Sequence, residues 1–258
     1  MKYLNALWEE LRISIECTWS YKINVISDIL FMTVLYIAII NMNDGLHIGR
    51  YYGSPEDSKS LLLIGYILWT FSTMSISLMS SNIESEANRG TLEQKLMSII
   101  PLYILMVGKI AYSFIREIVI IIPILIVSKL LFDVGISFNL ASIIILLLTM
   151  VGMFGIGLIF GGLTIKHKKI GSIIYVTQTV LLFISDTLVI FSDQFPLINI
   201  IPLTKGNDLI RKSLIGNGIT SNDYLLFTLI TLSWIIVGIA TFLHYTKVCK
   251  KDGLIGSY

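Results

Sequence analysis

Few residues in this sequence have the type and spacing to do chemistry, and those that stand out are polar groups set inside apolar runs. Asp28, Arg116, Glu117, Gln178 and Asp186 each interrupt a stretch that is otherwise hydrophobic. Charge in hydrocarbon is costly, so such groups line a wet path, pair with one another or sit at an interface. For Asp28, about a turn and a half into its run, the interface and the substrate path both stand. Arg116 and Glu117 are adjacent, so they point in different directions around a helix and need not pair; they mark an inner cavity or the interface. Asp186, with Gln178 and Ser185 near it, fits a polar cavity or an outer-interface position. These five residues form the candidate translocation path. Lys129 can snorkel outward along its stem.

Catalytic and metal constellations are missing. His47, His167 and His244 are isolated, and neither H-E-x-x-H nor G-x-S-x-G occurs. A P-loop cradles phosphates with G-x-x-x-x-G-K-[ST]. The one G-K pair, Gly108-Lys109, is followed by Ile110 and has Tyr103 where the earlier glycine belongs. The chain is therefore expected to carry no metal, nucleotide or other cofactor, and not to be an enzyme. Cys17 and Cys249 are too few for a disulfide framework. A net charge of +2 gives no surface for nucleic acid.

The elements that must hold these groups follow from composition. The sequence is 55% hydrophobic and 14% charged, against about a quarter charged in a soluble domain, and its mean hydropathy is +0.81. Crossing about 30 Å of hydrocarbon takes about 20 apolar residues. Six runs qualify: residues 23–41, 60–80, 110–132, 139–163, 170–191 and 224–246. The expectation is an all-α integral membrane protein with six transmembrane helices. Gly157 and Gly161 form a G-x-x-x-G pair suited to close helix approach, within one subunit or across a dimer. Residues 1–22 differ in kind. Leu4, Leu7, Trp8, Leu11 and Ile15 share one helical face and Asn5, Glu9, Arg12 and Glu16 the other, which predicts an amphipathic helix in the membrane interface. With the N-terminus inside, twelve Lys and Arg fall in inner segments and five in outer ones. The positive-inside rule then puts both termini in the cytoplasm of a multi-pass plasma-membrane protein.

Two connections are more than slack chain. In residues 83–109, Thr91 and Gln94 are spaced as a capping box, and Gly90 frees the turn before it. Leu92, Leu96 and Ile99 then share a face until Pro101 stops the helix, which is expected over about 91–100. Glu84, Glu86, Arg89, Glu93 and Lys95 supply its charged side. The connection over 192–223 is too apolar for an exposed loop. Thr204 or Asn207 can cap a short helix carrying Leu209, Ile210 and Leu214, and Gly216 or Gly218 can end it. A re-entrant element closing the outer side is the expectation.

These connections resemble the signatures of type 2 ABC exporter permeases. The matching residues are Glu86, Arg89, Gly90, Thr91, Leu92, Glu93, Pro101, Gly108 and Lys109, and in the second connection Pro202, Leu203, Thr204, Leu209, Ile210 and Arg211. The resemblance implies that the first loop is a coupling helix that docks on a separate cytoplasmic ATPase through Glu86, Arg89, Gly90, Thr91, Leu92, Glu93, Gln94 and Leu96. It implies two permease copies, or one beside a related permease, with ATP and Mg²⁺ on the ATPase. Pro202, Leu203, Thr204, Leu209 and Arg211 would belong to an outer gate. The expected function is ATP-driven export of an amphipathic substrate (a drug, a lipid or an antimicrobial peptide) from a bacterial cell. The alternative is a membrane immunity or sensor protein that binds a peptide at its outer loops without transporting it.

Overall fold

Helices satisfy their own backbone, so they are the natural form for long apolar runs, and every regular element among the described residues is helical. The computed structural model describes residues 8, 9, 11–16, 22–43, 45–92, 94, 102–136, 138–216 and 218–251. The elements are α1 (Lys22–Met42), α2 (Leu46–Tyr51), α3 (Ser58–Asn88), α4 (Leu102–Phe132), α5 (Leu140–His167), α6 (Gly171–Ile184), α7 (Pro202–Ile215) and α8 (Ser221–Lys251). Short 3₁₀ turns at Pro55–Asp57 and Pro196–Ile200 lead into α3 and α7. Of the helix expected over 1–22, residues 8, 9 and 11–16 are described and helical, with an exposed Arg12–Glu16 pair at 2.9 Å.

Among the described residues, five helices are long and apolar enough to cross a membrane: α1, α3, α4, α5 and α8. The run expected as the fifth of six spans, over 170–191, is helical only from Gly171 to Ile184, 14 residues. It ends because Ser185 leaves helical geometry and Asp186 takes a left-handed φ of 57°. Asp tolerates that conformation better than most non-glycine residues, but no periodic pattern requires it at this position. Other ends move as well. α3 continues past the expected residue 80 to Asn88, and α4 starts at Leu102 rather than near 110. Most of the helix expected over 91–100, Glu93 and Leu96 included, lies outside the described residues.

α3 is the central pillar. In its apolar window 89% of residues are buried, against 50% in α5 and 22% or less in α1, α4 and α8. Its many hydroxyls are reconciled with that position by bonding back to carbonyls three or four residues earlier, as in Ser72 to Leu68 (2.7 Å) and Ser75 to Phe71 (2.9 Å). α3, α5 and α8 run parallel. A Cβ on Gly157 would lie 2.6 Å from the Ser75 carbonyl oxygen of α3, and one on Gly155 would lie 2.6 Å from the Trp234 carbonyl of α8. The G-x-x-x-G pair thus faces α3 of the same chain, and small residues on both sides of α5 let three backbones close together. α1 and α4 run the opposite way along α3, joined by a Tyr36–Ser128 hydroxyl contact of 2.9 Å and by Tyr66 Oη donating to the Met32 carbonyl at 2.8 Å. The outer faces of α1 (Ile23, Leu30, Phe31) and α8 (Leu229, Ile236, Leu243) are exposed and apolar, as lipid contact requires.

The glycine seams make a direct prediction. Gly155→Val and Gly157→Val force backbones apart and are each expected to cost on the order of 1–3 kcal/mol, seen as a Tm lower by several degrees in detergent. Gly171→Ala, with nothing within 4 Å of the added methyl, is expected to leave Tm unchanged.

Candidate functional site

Two regions collect the polar residues singled out above. The first is a cavity of about 370 Å³ between α1, α3, α4 and α6. It brings together Asp28, Arg116, Glu117 and Gln178, which lie on three different helices. Arg116 forms an ion pair with Asp28, with both side chains partly exposed. Glu117, the neighbour of Arg116, turns into the cavity with 5% of its surface exposed. Gln178 is held from both ends. Its side chain donates to the Thr73 carbonyl at 2.9 Å, and its own carbonyl accepts from Trp69 Nε1 at 2.9 Å. Asp186 is not part of this cavity.

The α3 wall was not anticipated. Thr73, Ser77, Ser80, Ser81 and Glu84 line it, at i, i+4, i+7, i+8 and i+11. That is one helical face, so a polar stripe within an uncharged apolar run was the available signal.

Below Glu84, α3 ends in a defined turn. Gly90 adopts a left-handed φ of 67°, its N–H donates to Ala87 (3.0 Å) and the Thr91 N–H donates to Glu86 (3.0 Å). This is a Schellman cap, which uses a C-terminal glycine to satisfy carbonyls that the helix leaves free. Gly90 therefore closes α3, and the Thr91 hydroxyl donates to Glu86 Oε2 at 2.6 Å. Glu86 is 4% exposed and its other oxygen accepts from Lys109 Nζ at 2.8 Å. One buried carboxylate thus ties the end of α3, the start of the loop and α4. Leu92 is buried against Met79, Ile83 and Ile165, whereas Arg89 and Gln94 are exposed. Glu93 and Leu96 lie outside the described residues.

The second region sits at the opposite end of the bundle, where α7 dips inward. Pro202 packs against Gly152, twelve positions into α5, which places it about 18 Å along that helix. Asp186 and Arg211 explain why the chain can break here. Ser185, Asp186 and Thr187 present carbonyls with no helical partner. Asn207 Nδ2 donates to the Ser185 carbonyl at 2.7 Å, and Arg211 donates to Asp186 (2.5 Å), Thr187 (3.0 Å) and Leu61 (3.1 Å). The Asp186 carboxylate accepts from the N–H groups of Phe191 (2.6 Å) and Ser192 (3.0 Å). Arg211 is fully buried, and Gly65 makes its room, since a Cβ there would stand 2.5 Å from the guanidinium. Leu203, Thr204 and Leu209 are buried in the same inserted element. Around its rim Lys205 and Lys212 pair with Asp208 at 3.3 and 2.9 Å, and Tyr52 donates to Asp208 at 3.1 Å. Burial, and secondarily Asp208, push the Tyr52 phenol far above its ordinary range, so it remains a donor. Gly65 was not singled out, and Asn207 or Thr204 was expected as a cap, whereas α7 starts at Pro202 with Ile201 as its N-cap; the roles of Gly65 and Asn207 depend on contacts between distant segments.

A bundle of long apolar helices with a polar cavity on one side and an inserted helix at one end is the architecture of a multi-pass membrane protein. Residues 6–215 match the ABC-2 type transporter family, and the chain belongs to that family. It is accordingly a transport subunit rather than a catalytic one, of a class that works with an ABC ATPase in a lipid bilayer. No curated protein matches the chain.

Arg211 yields the sharpest structural prediction. Arg211→Ala strands buried carbonyls and is expected to cost on the order of 3–5 kcal/mol, as loss of a buried charged partner does. Arg211→Lys should recover little of this, because one ammonium lacks the planar fork that spans three carbonyls. Lys212→Ala, at the half-exposed rim, is expected to change stability by less than about 1 kcal/mol. Thermal unfolding of the purified variants distinguishes these outcomes.

Proposed function

We propose that this chain is the permease subunit of an ATP-driven exporter that moves an amphipathic substrate out of a bacterial cell, energised by separate ATPase subunits. The observation that carries this reading is the Glu86 junction. It joins the end of α3 to α4 on either side of the loop that resembles a coupling helix, and the cavity begins half a turn above it, at Glu84. A push on that loop would be passed into two walls of the cavity rather than absorbed by slack chain. Breaking a buried pair of this kind costs on the order of 3–5 kcal/mol, enough to keep the junction closed during a working cycle.

In this reading the Gly90 end faces the cytoplasm with both termini, in line with the excess of Lys and Arg there. ATP and Mg²⁺ bind the partner ATPase, and a second permease copy completes the path across the plasma membrane. α6 completes the set of six crossings, as the fifth in chain order. Its 14 residues span about 21 Å, short of about 30 Å of hydrocarbon, and α7 closes the remaining depth as an outer gate built on Pro202, Leu203, Thr204, Leu209 and Arg211. The translocation path runs from Asp28, Arg116, Glu117 and Gln178 towards Asp186.

Purification of the tagged chain from its native membranes in mild detergent tests the proposal. Stoichiometric recovery of an ABC ATPase is expected, and its loss when Gly90→Val or Glu93→Lys is introduced. Gly90 has open space around it, so valine there acts through the left-handed backbone alone. A chain that emerges alone, under conditions that preserve other ABC complexes, would sink the exporter reading.

A further inference from the structure

The cavity between α1, α3, α4 and α6 has a definite sign. Among the described residues, Asp28, Glu84 and Glu117 face it against a single cation, Arg116, and α6 contributes no charged side chain. The Arg116 guanidinium is engaged by Asp28. Glu117 makes no hydrogen bond or ion pair with any described residue, although only 5% of it is exposed and it points into the cavity. Proteins pair buried charges or give them a ligand, because an unpaired carboxylate loses its hydration without recompense. Beside the hydroxyls of Thr73, Ser77, Ser80 and Ser81, the lining carries four adaptable apolar side chains, Met32, Met74, Ile120 and Ile174. Methionine thioethers mould to irregular ligands. The Tyr175 ring, largely exposed, offers a face on which a cation is attracted.

We infer that this cavity binds small amphipathic cations, with the Glu117 carboxylate as their charge partner and the Met and Ile side chains holding their apolar part. The inference rests on the exporter reading only for its physiological meaning, as the path by which substrate leaves. Size narrows the class further. About 370 Å³ is near the lower end of ligand pockets, which run from about 300 to 1,000 Å³. A lipophilic ammonium or phosphonium of a few rings fits; a folded peptide or a two-chain lipid does not. An anion of the same shape would meet two carboxylates with no partner among the described residues, and a guanidinium already taken.

The test is equilibrium dialysis of the full chain in phosphatidylcholine nanodiscs, with empty nanodiscs as the blank. The probes are tetraphenylphosphonium and its anionic counterpart of nearly the same shape, tetraphenylborate. Saturable binding of the cation and none of the anion above the blank is expected. Glu117→Gln should weaken the cation by about tenfold or more, the loss that follows removal of one charged partner, and Ile174→Trp should block the site by filling it. Glu117→Gln removes an unpaired buried charge, so its Tm should not fall; if it does, Glu84→Gln reports on the same sign from the rim. Equal binding of both ions, binding of neither, or cation affinity untouched by both glutamate variants overturns the inference. Binding needs no ATPase. A chain that recruits an ATPase but ignores charge therefore loses only this inference, and a cation-selective chain that recruits none loses only the exporter reading.

Discussion

The structure depends on a solution to one problem, a helix that stops inside the bundle and leaves carbonyls without partners. Away from water each such group costs as much as a lost hydrogen bond or more. Arg211 and Asn207 answer it from the neighbouring inserted helix, and Arg211 also reaches across to Leu61 of the central pillar. A guanidinium suits the task because its five donors lie in one plane and can serve several carbonyls. α6 can be short, and α7 can be inside, only because this side chain is buried between them. Asp186 completes the arrangement by capping the turn that follows, so its carboxylate is structural where it lies.

The central helix links the two regions that matter. α3 takes part in the Arg211 contact near its start, presents the polar stripe to the cavity in its second half, and ends at the Glu86 junction. Its burial makes it the least free of the long helices to move by itself. α1 and α4, by contrast, show apolar outer faces and meet α3 on the cavity side. Rearrangement of the cavity is therefore easiest on the side of α1 and α4, with α3 as the fixed wall.

Much of this was legible in the sequence, for physical reasons. Uninterrupted apolar runs identify helices because length and hydropathy alone decide them, and α1, α3, α4, α5 and α8 follow the predicted runs apart from their ends. Asp28, Arg116, Glu117 and Gln178 were found because a polar group in an apolar run is conspicuous; that they share one cavity needed the packing of three helices. The break at Asp186 was hidden, since its left-handed backbone is held by Arg211 of α7 and by its own carboxylate on the Phe191 and Ser192 N–H groups, contacts that no periodic pattern announces. Gly90 was legible as a turn but not as the cap of the preceding helix, because a glycine between two helical patterns can belong to either. The serine and threonine stripe of α3 was masked by averaging, as hydroxyls hardly lower the hydropathy of a long window.

The parallel course of α3, α5 and α8 has an electrostatic result of its own. Each helix carries a dipole equivalent to about half a negative charge at its C-terminus, and all three C-termini lie at the Gly90 end. Within this three-helix block the dipoles add, to on the order of one and a half negative charges at its Gly90 end, offset in the whole bundle by the N-termini of α1, α4 and α6 at the same end. Lys166, Lys168, Lys169, Lys247 and Lys251 sit in or just beyond the last turns of α5 and α8, and Lys166 also lies over the Tyr245 ring at 5.7 Å. The basic residues gathered at this end are thus the counter-charges that let three helices point the same way.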